Sequence, residues 1–212
     1  MKNPFQPVKR HLFFTLLLVF SLTSVFGATR TWTGDVSTDW SVTGNWSGGL
    51  PSSGDDVVIP TNPSGQRMPV ISSGTFQVKS LDIQAGATLS VSGGSLTVSG
   101  ANSSITGTLN HSGGTILFNN SLTVETSGLL SVSNTAVVHM AINTATAPTD
   151  HITVEPGGQV QISGGTIYVK DLTTNAGTPG GTVNQTGGIF RVYHDFKNKG
   201  IYYATGGTIQ FS

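Results

Sequence analysis

Cysteine is absent from this chain, and only 9% of its 212 residues are charged. The first absence removes disulfides and thiolate metal sites as sources of stability, so the fold must rest on burial and backbone pairing. The second argues against a nucleic-acid partner. Arg30, Arg67, Lys79, Lys170, Arg191, Lys197 and Lys199 are mostly scattered, whereas phosphate binding needs clustered cations. The group from Arg191 to Lys199 is interrupted by Asp195 and reads as a solvated face. A membrane-spanning run is missing too, because the apolar stretch from Leu12 to Phe20 is too short to cross a bilayer comfortably.

That stretch has another reading. Lys2, Lys9 and Arg10 precede it, and Val25 with Gly27 follows it as a small-residue cleavage region. Residues 1–27 are therefore expected to be a secretory signal peptide, with the mature chain starting near Ala28 and carrying no transmembrane segment. Three of the ten Lys and Arg lie in that leader. Without them seven cations face ten carboxylates, a mildly acidic balance.

What the chain has in abundance is glycine, 28 residues of it, together with Ser, Thr and β-branched side chains. Such a composition reads as many short strands joined by glycine-bearing turns. The glycines are also periodic. "SGGSLTV" at 92, "SGGTILF" at 112, "SGGTIYV" at 163, "TGGIFRV" at 186 and "TGGTIQF" at 205 repeat a double glycine followed by apolar alternation.

With the second glycine as origin (Gly94, Gly114, Gly165, Gly188, Gly207), Leu96, Ile116, Ile167, Phe190 and Ile209 follow two residues on. Val98, Phe118, Val169, Val192 and Phe211 follow four on. Between them lie Thr97, Leu117, Tyr168, Arg191 and Gln210, a mixed set suited to an outward face. Five residues before the origin stand Leu89, Leu109, Val160, Val183 and Tyr202. Gly74 fits the frame, and "SVSNTAVVH" fits it with Thr135 as origin and Asn134 in place of the first glycine.

Seven rungs of roughly twenty residues result, each with a third apolar patch such as Leu81 with Ile83 or Leu122 with Val124. The expected fold is all-β, a three-sided parallel β-solenoid (β-helix) over residues 69–212, in which stacking each rung on the next covers an apolar face that no rung covers alone. The double glycine is expected to supply a tight corner through positive φ. The segment 143–150, "NTATAPTD", reads as a loop pushed out from one corner.

A solenoid end exposes strand edges and core, so it needs a lid. Residues 28–68 hold all three tryptophans, Trp32, Trp40 and Trp46, and are expected to form that cap. Two other readings stay open for the segment: the tryptophans as a sugar-stacking platform, and Asp39, Asn45, Asp55 and Asp56 as oxygen ligands for calcium.

The pattern of Trp32, Gly34, Asp39, Trp40, Asn45, Trp46, Pro51, Asp55, Val57, Ile59 and Pro60 resembles the mature start of surface proteins exported by Bacteroidota-type bacteria. The resemblance implies a tryptophan-rich cap on an adhesin-like β-solenoid and export as cargo of type IX secretion, and it supplies no catalytic residues. The stretch "GGTILFNN" is also similar to passenger repeats of autotransporter-like outer-membrane proteins. The chain departs from the first pattern by ending at Phe211 and Ser212, mid-rung, without a sorting domain, so further domains are expected to follow.

An enzymatic β-helix would need convergent carboxylates or a calcium cluster. Asp82, Glu125, Asp171 and Asp195 fall in different turns and read as dispersed, His111 reads as a core residue, and His139, His151 and His194 show no metal spacing. A templating face at Thr75, Ser95, Thr115, Thr166 and Thr208 is broken by Ala136 and Ile189 and by the mixed column beside it. The expectation is a non-catalytic secreted or cell-surface stalk or display scaffold, with a glycan or neighbouring surface component as partner and no catalytic, cofactor or metal residues. A polysaccharide-acting β-helix enzyme and a carbohydrate-binding module built on the cap are the alternatives.

Overall fold

The computed structural model describes residues 27–140 and 151–211. The leader (except Gly27) and the segment 143–150 lie outside those residues. The described chain is an all-β, three-sided parallel solenoid of about seven turns. After each glycine corner the chain forms a first side: Thr75–Val78, Ser95–Val98, Thr115–Phe118, Val137–Met140, the start of Thr166–Thr174, the start of Ile189–Asn198, and Thr208–Phe211. A second side stacks Asp56–Ile59, Ser80–Ile83, Ser103–Ile105, Leu122–Val124, His151–Val154 and the later halves of the two long strands. The third stacks Val70–Ile71, Thr88–Val91, Thr108–His111, Leu129–Val132, Gln159–Ile162, Thr182–Gln185 and Ile201–Ala204. Every pairing between these strands is parallel.

Register follows the apolar columns. Leu96, Ile116, Val138, Ile167 and Phe190 are direct partners from rung to rung, and all are fully buried. Leu89, Leu109, Leu130, Val160 and Val183 form a second such column on the third side. Burying a side chain of this size stabilises by about 1.5–3 kcal/mol, and no single rung could do so alone. Among the described residues no helix is long and apolar enough to cross a membrane.

One corner departs from the expected frame. Val137 pairs with Thr115 and Val138 with Ile116, so Ala136, not Thr135, is the counterpart of Gly114. The entering strand keeps the frame, since Leu130 pairs with Leu109. The corner Ser133–Ala136 therefore holds one extra residue. Asn134 takes the left-handed conformation there, φ 50°, which asparagine tolerates better than most side chains. The outward column of the first side consequently runs through His139 rather than Val138.

The corner glycines serve two purposes. Gly114 has φ 80°, and a Cβ on it would lie 2.3 Å from the Gly94 carbonyl oxygen of the rung before. Its neighbour Gly113 has no positive φ, yet a Cβ there would lie 2.6 Å from the Ser92 carbonyl oxygen. The same crowding recurs at Gly93, Gly187 and Gly206, 2.3–2.4 Å from a carbonyl oxygen of the preceding rung. The second glycine turns the chain; the first lets corners stack. Gly113→Ala is thus expected to cost about 1–3 kcal/mol through overpacking alone, read as a lower urea midpoint at unchanged slope. An unchanged midpoint would show that the corner has room.

The cap closes the opening end. Thr29–Thr31 extends the second side by pairing with Asp56–Ile59, which itself pairs in register with Ser80–Ile83, so lid and column interlock. Trp32 and Trp40 are fully buried and Trp46 nearly so, in edge-to-face contacts at 4.9 Å (Trp32 with Trp46) and 4.6 Å (Trp40 with Trp46). Trp40 reaches Phe76 of the first rung, 6.1 Å between ring centres.

Candidate functional site

The residues expected to offer a ligand in the cap are engaged in building it. With the three indoles buried against one another, no tryptophan face is presented to a sugar, which removes the physical basis of a stacking platform. Asn45 is buried: its Oδ1 accepts from the Val36 and Ser37 amides, and its Nδ2 donates to the Asp39 carbonyl. Asp39 Oδ1 accepts from Ser41. Asp55 takes the Ala28 and Ser52 amides and sits 3.5 Å from Arg30. Although burial opposes it, hydrogen bonds from Ser52 and Ala28 with the Arg30 charge hold the Asp55 carboxyl below the usual range. Asp56 is lowered by Lys79, 2.8 Å away, and by Ser80. Asn45 and Asp39 thus hold one loop of the cap together, while the adjacent Asp55 and Asp56 are taken up by Ala28, Ser52, Arg30, Lys79 and Ser80.

The outward column of the first side is a ladder. His139 stacks on Tyr168 with ring centres 4.4 Å apart and planes within 3°. The Arg191 guanidinium lies 5.7 Å from the Tyr168 ring centre, and its Nε donates to Gln210 at 2.8 Å. Because these partners are direct neighbours along the axis, the tyrosine turns its faces to rungs above and below and its edge to solvent. Burial lowers the His139 pKa. A small cavity on the third side, about 80 Å³, is lined by Ser131, Gln161, Ile162, Ser163, Asn184 and Thr186.

The strongest chemical constellation lies where the first side bends into the second. Thr166–Thr174 and Ile189–Asn198 each run through that bend without a break, and the register between them shifts between Val169 and Asp171. Val169 faces Val192 but Asp171 faces Asp195, so two residues, Tyr193 and His194, stand where the lower rung has only Lys170. This is a β-bulge, a device that re-aims a side chain. It brings His194 Nδ1 to 2.8 Å from Asp171 Oδ1, while the Asp195 amide donates to the same oxygen at 2.9 Å. Asp195 Oδ2 lies 3.6 Å from His194 Nδ1 and 3.1 Å from Lys197 Nζ. Directly below Asp171 in register is His151, whose Nδ1 is 3.1 Å from Ser121 Oγ.

In sequence Asp171 and Asp195 read as dispersed; the structure corrects this, because the two pair in register on adjacent rungs. The two carboxylates are stacked one rung apart, with the imidazole bridging towards them. Asp171 is nearly buried, whereas His194 and Asp195 stay open to solvent. Asp82 and Glu125 do not join the group. Counting along the rung rather than along the chain would have aligned Asp171 with Asp195, provided the inserted residue was recognised.

Residues 31–128, just under half of the chain, match a family model described as a domain of unknown function (DUF8693). That stretch takes in the cap and the first rungs and ends before the Asp171 cluster. Neither the curated proteins nor the solved structures yield a match. The chain is thus similar, over its cap and early rungs, to a family defined by its sequence and not by an activity.

Proposed function

We propose that this protein is an exported, non-catalytic stalk or display scaffold of a bacterial cell surface, adhesin-like, with a glycan or a neighbouring surface component as its partner. The supporting observation is the parallel rung-on-rung pairing that runs from Asp56 to Phe211 among the described residues, absorbing a bulge at Val169–Asp171 without losing the stack. Seven rungs stacked at about 4.8 Å give a column on the order of 30 Å long, capped at one end, in which backbone pairing runs along the axis. Such a column gives reach and stiffness for few residues. The leader-like residues 1–27 and the resemblance of the tryptophan pattern to Bacteroidota-type surface proteins support export, with type IX secretion as the proposed route.

A polysaccharide-acting β-helix is the second reading, favoured by the stacked pair Asp171 and Asp195. Expression of the full chain in a Gram-negative host, followed by fractionation and incubation of the purified protein with polysaccharide-coated beads, separates the two. The scaffold reading expects cleavage near Ala28, protein outside the cytoplasm, and bead retention without new reducing ends or unsaturated products. Uncleaved cytoplasmic protein, or release of sugar products abolished by Asp195→Asn, would overturn it.

A further inference from the structure

From the geometry of the bulged corner we infer a surface site for a divalent transition metal, zinc in the first instance, held by Asp171, His194 and Asp195. This inference is independent of the surface role proposed above. The three side chains offer one imidazole nitrogen and two carboxylate oxygens, all mutually within 4.8 Å. Such a mixed N/O set suits zinc better than calcium or magnesium, which take oxygen ligands. Zinc with bonds of about 2.0–2.1 Å in tetrahedral arrangement needs ligand atoms roughly 3.3 Å apart. The separations from His194 Nδ1, 2.8 Å to Asp171 Oδ1 and 3.6 Å to Asp195 Oδ2, bracket that value.

The parts differ in how firmly they are held, in a way that fits an ion. Asp171 is the fixed element, with a side chain only 12% exposed in the continuous strand Thr166–Thr174. His194, 62% exposed, sits on the extra residue of the bulge, where a small rotation opens the 2.8 Å contact to admit an ion. Solvent on that side supplies water to complete the coordination. Without an ion, two carboxylates stacked on adjacent rungs repel; the Asp195 amide and His194 Nδ1 contact Asp171 Oδ1, and Lys197 Nζ lies 3.1 Å from Asp195 Oδ2. An ion would neutralise both, with Lys197 as its competitor for Asp195 Oδ2.

The test is titration of the full, untagged chain with ZnCl2 by isothermal calorimetry, alongside thermal melts and the visible spectrum of the cobalt(II) form. One equivalent is expected to bind and raise the melting temperature, because an ion bound only by the folded state stabilises it. His194→Ala and Asp195→Asn, both at exposed positions, are each expected to weaken binding at least tenfold and to bleach the cobalt spectrum. His139→Ala, on the first side, should stay within twofold of wild type. If Asp171→Asn does not fold, as judged by circular dichroism without metal, the two exposed variants decide. No binding by the wild-type chain overturns the site, as does a His194→Ala affinity within twofold of wild type, or calcium binding as tight as zinc and indifferent to His194→Ala.

Discussion

His111→Leu is expected to make the protein more stable, and increasingly so as the pH falls from 6.5 to 4. His111 occupies an inward position between Val91 and Val132 on the third side, is 1% exposed, and neither ring nitrogen meets a hydrogen bond of good geometry among the described residues. Burial pushes its pKa down to about 4, although the Gly114 and Gly113 peptide groups pull weakly the other way. The unfolded chain binds that proton near pH 6.5 and the folded chain only near 4, so between those values the unfolded state holds more protons. Stability is then fully present above pH 6.5 and is lost as the pH falls. At 1.36 kcal/mol per pKa unit the loss is about 2 kcal/mol at pH 5 and about 3 kcal/mol towards pH 4.

Leucine is an apolar side chain like the valines above and below, and it carries no proton. The expected readout is a urea-melt difference between His111→Leu and wild type that is favourable at pH 7.5, because two unpaired nitrogens are gone, and grows by about 2 kcal/mol at pH 5. Carboxylates such as Asp55 and Asp56 titrate in both proteins and cancel in the difference. A difference that stays flat across pH 4–7.5 would mean that the imidazole is not held neutral in the core.

How the sequence carried the fold is visible in the same column. Inward positions alternate strictly, and a β-strand projects alternate residues to one side, so Leu109 and His111 could both be placed inside from spacing alone. The corner glycines were legible for the same reason: a two-residue turn leaves few choices. The role of Gly113 was not, because its constraint comes from a carbonyl some twenty residues earlier that only stacking brings within 2.6 Å. Insertions were the second blind spot. The extra residue at Ser133–Ala136 displaced the outward column by one and hid His139 behind Val138. The extra residue at the bulge hid the alignment of Asp171 with Asp195 and the turn of His194 towards them. Periodicity reports the average rung, whereas the chemistry of this chain sits where a rung departs from the average. The cap was legible in composition, since large aromatics at an open end have core to cover, but its hydrogen-bond assignments, with Asn45 at the hub, depend on loop paths that no period encodes.

Trp40→Ala should cost about 3–5 kcal/mol, the range for emptying a fully buried large aromatic site. Trp40 is the residue that joins lid to column: its ring touches Trp46 on one side and Phe76 of the first rung on the other, its amide donates to the Val70 carbonyl, and its own carbonyl accepts from Trp46 Nε1 at 2.8 Å. Removing the ring opens a cavity against the first rung and loosens Trp46, so the first strand edges become available for pairing with other chains. A lower urea midpoint and a rise in concentration-dependent association are both expected. Trp40→Phe separates packing from polarity. The indole Nε1 of Trp40 is buried without a hydrogen-bond partner among the described residues, so phenylalanine keeps most of the contact and removes a donor that costs stability unpaired. Its loss should be less than half that of alanine. In the wild-type chain, tryptophan emission should be blue-shifted, poorly quenched by acrylamide and indifferent to added polysaccharide. An alanine variant within 1 kcal/mol of wild type, with emission that responds to sugar, would mean that these rings face a ligand and that some other part of the chain seals the column.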